Sequence, residues 1–390
     1  MNNWYYSFPS IKVIIILTPF LLLGCGGKSE EKEVEVEKED SFKSFQLDIR
    51  SDDTPFAELI DKLEITRFEE TEESLLSYVR QVEIYEDKMF VPGKEGNIHV
   101  FSGDGDFIRN INRQGDGPEE YRFWKEIWLE GDTICLYVLR KGVWRYDFNG
   151  NFISSESFSF PATHIHPYKD GYALDMNYRM INDTSQYALV TLNKKLGVDQ
   201  LLLPFTKRPE FGYSMPFKTV FPLGDEVLVF PIMKDTVYRL SGDSIQPAIH
   251  YNFGEDWFFK PGDVLTNSFM EEVREKGRVW WLYNTVGKRY VYLSATVGNG
   301  GRARYFINRE NGQSVRLVNK LRSGEDFALT GIKWDGDDFL FTMQSAQLAD
   351  LLEELDVAQY SYTKGSTLEE IESSENPVLV RIKVKDFAKD

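Results

Sequence analysis

His164-Ile165-His166 is the segment of this chain whose residue types and spacing look most like a metal site. On a strand, side chains alternate with a period of two, so both imidazoles face one way. Such a pair can begin a zinc or copper site, which needs at least a third ligand, and Asp175 in the following strand is the candidate. Gly103-Asp104-Gly105-Asp106 and Asp335-Gly336-Asp337-Asp338 look like calcium loops, but neither is followed by the Glu that a helix-loop-helix site requires. They read as hairpin turns. Gly298-Asn299-Gly300-Gly301 lacks the Lys-Ser/Thr of a phosphate loop, and no Gly-x-Ser-x-Gly elbow occurs. With 2 cysteines, Cys25 and Cys135, the chain has neither a Cys-based zinc site nor a Cys-pair redox motif. Cys135 lies in the apolar run Ile134-Cys135-Leu136-Tyr137-Val138 and reads as a small core residue. No catalytic residue and no cofactor is assigned. The aromatic clusters Trp257-Phe258-Phe259 and Trp280-Trp281 flank a stretch with helical spacing. Exposed rings there would stack on sugars or grip a protein; otherwise they bury the stretch against its sheet.

The elements that must carry these residues are strands. The chain has 390 residues, 42% hydrophobic and 14% aromatic, with 29 Gly and 15 Pro, a composition that suits pleated sheets and tight turns. Lys and Arg number 45 against 62 Asp and Glu, a formal net charge of -17. A nucleic-acid partner is therefore excluded, because phosphates are repelled by such a surface and no basic patch offsets it.

The first residues speak of location. Lys12 precedes an apolar run from Val13 to Leu23, about eleven residues, too short to cross a bilayer as a helix and suited to an export signal. It ends in Leu22-Leu23-Gly24-Cys25, which resembles the lipobox of bacterial lipoproteins. The resemblance implies a signal peptide over 1–24 and lipid attachment at Cys25, so the partner at this end is a membrane. Each buried acyl methylene contributes about 0.8 kcal/mol, enough for two or three chains to hold a soluble domain stably. Residues 25–41 then form a carboxylate-rich tether, Glu30 to Asp40, kept extended by its own charge. That early acidic cluster resembles the surface-export signal of Bacteroidetes lipoproteins. An outer-membrane lipoprotein is expected, facing either the periplasm or the cell exterior.

Residues 42–390 repeat a unit of apolar strand, Gly/Asn turn and apolar strand. The copies are Asn97-Ile98-His99-Val100-Phe101 with Asp106-Phe107-Ile108, Val143-Trp144-Arg145-Tyr146 with Asn151-Phe152-Ile153, and Tyr187 to Leu192 before the turn Asn193 to Gly197. They continue with Val237 to Leu240 before Ser241-Gly242-Asp243-Ser244, and Tyr305-Phe306-Ile307 before Asn308 to Gly312. A sixth strand, Val378 to Ile382, has no following partner. The first spacings, from Phe101 to Leu240, are about 45 to 48 residues, inside the range of a propeller blade. The later ones are longer because Asp263 to Trp281 and Leu348 to Leu355 insert helical segments. The expectation is an all-β fold, a six-bladed β-propeller with helical insertions in the fifth and sixth blades. The missing outer strand of the last blade must come from the N-terminal part, since that closure removes an exposed edge. Leu63 to Phe68 is favoured over Phe45 to Ile49.

Asn112-Arg113-Gln114-Gly115-Asp116-Gly117-Pro118-Glu119-Glu120-Tyr121 is similar to the Gly-x-Gly-Pro-Gly-Glu-Tyr signature of Bacteroidetes six-bladed β-propeller lipoproteins, whose function is unassigned. Leu59 to Phe107 and Glu375-Asn376-Pro377-Val378 look like the same family, and the likeness covers roughly residues 45 to 385. Glu119 stands where the family has Gly. The resemblance implies a propeller of the NHL or TolB-like kind and no known substrate. Read from the residues, Gly115, Gly117, Pro118, Glu120 and Tyr121 form an inter-blade turn in which Gly117 is free to take positive φ and Glu120 accepts from loop amides. The function expected is a binding or scaffolding module at the cell envelope for a protein or glycan partner. The alternative is a lactonase-like or glycan-cleaving hydrolase with a metal or a carboxylate pair in the channel. Converging carboxylates at the axis would favour the enzyme.

Overall fold

The computed structural model describes residues 42–387, apart from 182–185, 211, 213–216, 322–323, 325 and 364–365. The segments expected as signal peptide and acidic tether, residues 1–41 with Cys25, lie outside the described residues. Six antiparallel sheets follow one another along the chain. Blade 1 consists of Glu83–Tyr85, Lys88–Pro92, Ile98–Ser102 and Phe107–Ile111. Blade 2 runs from Glu126–Glu130 to Phe152–Ser157, and blade 3 from His164–Tyr168 to Val198–Pro204. Blade 4 spans Val220–Leu223 to Ser244–Asn252, and blade 5 Val279–Val286 to Ser314–Val318. In blade 6, Thr330–Asp335 and Asp338–Met343 are followed by Val378–Val384. First strands of neighbouring blades approach one another, which puts them around the axis. The molecule is the six-bladed β-propeller that the spacing predicts.

Second and third strands read as apolar runs because they are covered on both faces. Tyr290–Val297 is buried along almost its whole length, whereas the outer strand Phe152–Ser157 alternates half-buried and exposed residues. Stability is concentrated between blades. Phe90, Ile98 and Val100 of blade 1 pack on Ile127, Ile134 and Leu136 of blade 2, and equivalent clusters occupy the other five interfaces. Burying each such side chain contributes about 1.5–3 kcal/mol.

Closure uses the favoured segment. Ile60–Arg67 pairs antiparallel with Val378–Val384, Ile65 opposite Val380, as the outer strand of blade 6. The competing segment finds a different place: Lys43–Gln46 lies parallel to the outer strand of blade 4, Phe45 opposite Tyr251. Asp53–Pro55 does the same on blade 5, and Tyr360–Tyr362 covers the closing strand of blade 6. One continuous stretch thus runs over the edges of blades 4, 5 and 6 and occupies backbone groups that would otherwise stand open.

Helix α1, Phe269–Lys276, lies in the loop entering blade 5, and α2, Leu348–Leu352, lies inside blade 6. Gly277, at φ 57°, ends α1 with its N–H on the Val273 carbonyl, where a left-handed residue is needed. A third short helix, α3 (Leu368–Glu372), begins at a Thr367/Glu370 capping box that the hydrophobic pattern had not singled out. No helix among the described residues is long and apolar enough to cross a membrane.

Candidate functional site

The first strands of the blades surround the axis, where the repeat leaves room instead of packed core. The result is a cavity of ≈ 590 Å³ lined from all six blades. Blade 1 contributes Glu83, blade 2 Glu126 with Lys125 just before it, and blade 3 His164. Lys218 and Phe217 come from the segment entering blade 4, Tyr283 and Thr285 from blade 5, and Lys333 and Trp334 from blade 6. The volume lies in the range of small-molecule sites.

Lys218 carries the principal ion pair. Its Nζ stands 2.9 Å from Glu83 Oε1 and donates to the Ile127 carbonyl at 3.1 Å. Gln81 Nε2 donates to the same Glu83 oxygen at 2.7 Å. Burial alone would raise the Glu83 pKa; the charges of Lys218 and Lys333 and these hydrogen bonds outweigh it, so the carboxyl lies below its ordinary value. Lys218 is raised for the matching reason: burial acts against its charge, and Glu83 and Glu126 more than offset that.

Glu126 is buried at 3% exposure, and its Oε2 accepts from the Ile165 amide at 2.8 Å with His164 Nδ1 3.7 Å away. Its Oε1 is buried and has no hydrogen-bond partner among the described residues. The ammonium groups of Lys125 and Lys333 likewise make no hydrogen bond or ion pair among the described residues. Burial lowers the pKa of both, aided by Arg179 at Lys125 and by Lys218 and Arg381 at Lys333. Burial, with the charge of Lys218, also pushes His166 down to about 4, against the opposing pull of Glu126, Glu83 and Glu130. That imidazole is neutral at pH 7.

The residues singled out from sequence have varied placements. His164 lines the cavity and His166 follows on the same strand, but Asp175 does not complete a metal site. Its carboxylate accepts from the Thr219 hydroxyl and the Asn177 amide. No group of three His, Cys, Asp or Glu side chains able to hold a metal ion occurs among the described residues. Asp175, the third ligand expected for a metal at His164 and His166, is thus already engaged by its own sheet and by the segment entering the next blade.

Trp257, Phe258, Trp280 and Trp281 are not a rim platform. They pack partly buried against Phe259, Leu265, Phe269 and Val273, with Phe269 and Trp280 ring centroids 5.1 Å apart, and so form the floor beneath α1. A short helix needs such an apolar surface to bury its own apolar side chains against.

Gly115, Gly117, Pro118, Glu120 and Tyr121 form the turn between blades 1 and 2. Glu120 accepts from the Gly117 amide at 2.8 Å, and the fully buried Tyr121 donates to the Gly96 carbonyl at 3.0 Å. Neither Gly115 nor Gly117 has positive φ, contrary to the turn argument for Gly117. Space is the reason for glycine: a Cβ on Gly115 would overlap the Glu120 carboxylate, and one on Gly117 would lie 3.1 Å from it. Cys135 is buried, and burial raises its thiol pKa. The calcium-like segments are turns, with Asp335 and Asp338 facing Arg381.

Sequence reasoning missed Glu83, Lys125, Glu126, Lys218 and Lys333. The available signal was a charge set among apolar residues at the start of successive repeats, as in Val82-Glu83-Ile84, Glu126-Ile127-Trp128 and Ile332-Lys333-Trp334.

The fold and this axial site define a six-bladed β-propeller with a charged central cavity. The chain belongs to the family described as a domain of unknown function, DUF4934, which it matches over residues 44–383. A crystal structure of a protein from Bacteroides fragilis described as exported is similar at a TM-score of 0.70 and 14% identity, covering 88% of this chain and 100% of that one. At that identity the likeness shows the fold. The extracellular domain of a protein from B. thetaiotaomicron described as a one component system is 14% identical over 70% of this chain and 34% of its own, with a TM-score of 0.39 that carries no argument. The family match and the B. fragilis structure fit the Bacteroidetes propeller family that the Gly115 to Tyr121 motif resembles. No curated protein matches the chain.

Proposed function

We propose that this chain is a lipid-anchored binding module of the bacterial cell envelope that takes its ligand in the axial cavity. The observation that carries the reading is Glu126 Oε1, without a partner among the described residues, on the wall of a ≈ 590 Å³ cavity that Lys125 and Lys333 also line. Buried polar groups are normally satisfied, and each one left without a partner costs about 1–3 kcal/mol, so a site that keeps several open is built for an occupant. The lipobox-like Cys25 and the acidic tether support the envelope placement, and the long acidic leader would hold the propeller away from the bilayer. The hydrolase alternative asks for one carboxyl kept protonated beside a second that is ionised. Glu83 and Glu126 do both line the axis, but Glu83 is held ionised by Lys218 and Gln81, which suits a fixed charge better than an acid catalyst.

The test is thermal unfolding of the full chain against a panel of envelope-derived sugars, sugar acids, amino acids and short peptides, repeated with Lys333→Ala. A compound that raises the midpoint of the native chain and loses that effect in the variant is the expected result. Compounds that act equally on both chains would remove the cavity from the reading.

A further inference from the structure

We infer that the axial cavity takes a small polyhydroxylated anion, a sugar acid or a sugar phosphate, in preference to a neutral sugar or an amino acid. This rests on reading the cavity as the ligand site. Three independent features of the lining select that chemistry.

The first is charge. The chain as a whole is acidic, at -17, yet the cavity carries five basic side chains, Arg80, Lys125, Lys218, Lys288 and Lys333, against two acidic ones, Glu83 and Glu126. Lys218 is matched by Glu83 at 2.9 Å, which leaves Lys125 and Lys333 as ammonium groups with no ion pair among the described residues. A walled cavity of one sign concentrates ligands of the other, and an amino group entering it meets like charge. The second is Glu126. Its Oε2 is held by the Ile165 amide, while its Oε1, on a side chain 3% exposed, has no donor. A carboxylate oxygen accepts only, so the ligand must bring an O–H or N–H donor to it, which a sugar hydroxyl supplies. The third is the wall. Phe217 and Tyr283 lie with ring centroids 4.0 Å apart, and Trp334 lines the same cavity, giving flat apolar surface for the C–H faces of a ring. Lysines for an anionic head, Glu126 for a hydroxyl and an aromatic wall for a ring body are thus offered by one cavity.

Calorimetric titration of the full chain with glucuronate, glucose 6-phosphate, glucose, glutamate and inorganic phosphate tests this. Glucuronate, glucose 6-phosphate or both are expected to bind, the responder showing whether the anion is carboxylate or phosphate. Affinity should fall with added salt. Lys333→Met and Lys125→Met should each weaken binding about tenfold, the loss of one charge-assisted contact. Glu126→Gln tests the hydroxyl contact, and thermal melts of each variant without ligand report whether the fold is intact. The inference is overturned if neither anionic sugar binds, if both lysine variants bind as well as the native chain, or if glucose matches glucuronate. It is also overturned if phosphate alone matches glucose 6-phosphate. Cavity-dependent binding of glucose or glutamate would leave the binding-module reading standing and remove only this one. If no compound of the wider panel responds to the cavity variants, both fall.

Discussion

Replacing His166 by Gln should flatten the acid sensitivity of the fold. The imidazole sits on the first strand of blade 3, paired across to Ala173, where burial and the charge of Lys218 depress its pKa to about 4 although Glu126, Glu83 and Glu130 pull the other way. An unfolded chain titrates this group near 6.5, so between those values the unfolded state binds more protons than the folded one. Stability therefore rises with pH across the window, is fully present above 6.5, and is lost as pH falls toward 4. A shift of about 2.5 units corresponds to about 3 kcal/mol, of which about 2 kcal/mol is lost between pH 7 and pH 5. For a propeller of this size that is roughly 3 °C in midpoint. The neighbouring Asp175 is raised by burial, despite His164 and Thr219, and so contributes with the opposite sign; it is present in both chains and cancels in their difference. The assay is thermal unfolding of native and His166→Gln chains at steps from pH 7 to pH 5. The native midpoint should fall by about 3 °C more than that of the variant. Parallel curves would refute the reasoning, because they would show the imidazole to titrate alike in both states.

Lys218→Met leaves Glu83 without its cation; both side chains keep some solvent contact, at 27% and 21% exposure, so the cost should be about 2 kcal/mol in urea unfolding, largely restored by adding Glu83→Gln. Gly115→Ala should cost about 1–2 kcal/mol by displacing Glu120 from the Gly117 amide, and the same change in a Glu120→Ala chain should cost markedly less; equal losses in the two backgrounds would show that the carboxylate is not what glycine makes room for. Asn376→Ala should destabilise by about 3 kcal/mol, since its buried amide accepts from Leu76 N at 2.6 Å and donates to the carbonyls of Phe68, Glu69 and Ser74, and the loss is read from the unfolding midpoint. Cys25→Ala should abolish palmitate incorporation and release the chain from the membrane fraction; retention of label would place the lipid elsewhere.

The ring of blades was readable because third strands are buried on both faces and end in tight turns, so Tyr146, Leu192 and Leu240 recur at a propeller spacing in the sequence itself. Closure by Leu63 and Ile65 was readable for a related reason: their alternation matches a strand with one face on the core. The place of Phe45 was not, because its parallel pairing with blade 4 depends on an edge more than 200 residues away, which no local pattern encodes. Trp280 and Trp281 misled because a ring that covers a helix and a ring that grips a sugar have the same sequence. The axial charges were hidden for a different reason. Glu83 or Lys333 alone is an ordinary polar residue beside an apolar run, and only ring closure brings such residues from different blades to one cavity.

The same closure explains why binding and stability can be separated in this fold. The apolar clusters lie between blades, so the ring is held from its walls and the axis is free to carry charge. The Lys218–Glu83 pair joins the entrance of blade 4 to blade 1, which in a ring of six are opposite, so this contact spans the axis. A bridge there does two things that an apolar plug would not. It fixes the spacing of opposite blades at the level of the cavity, and it consumes the charge of one lysine and one glutamate while leaving Lys125, Lys333 and one oxygen of Glu126 unmatched. The groups left over, not the total charge, set what the cavity can recognise.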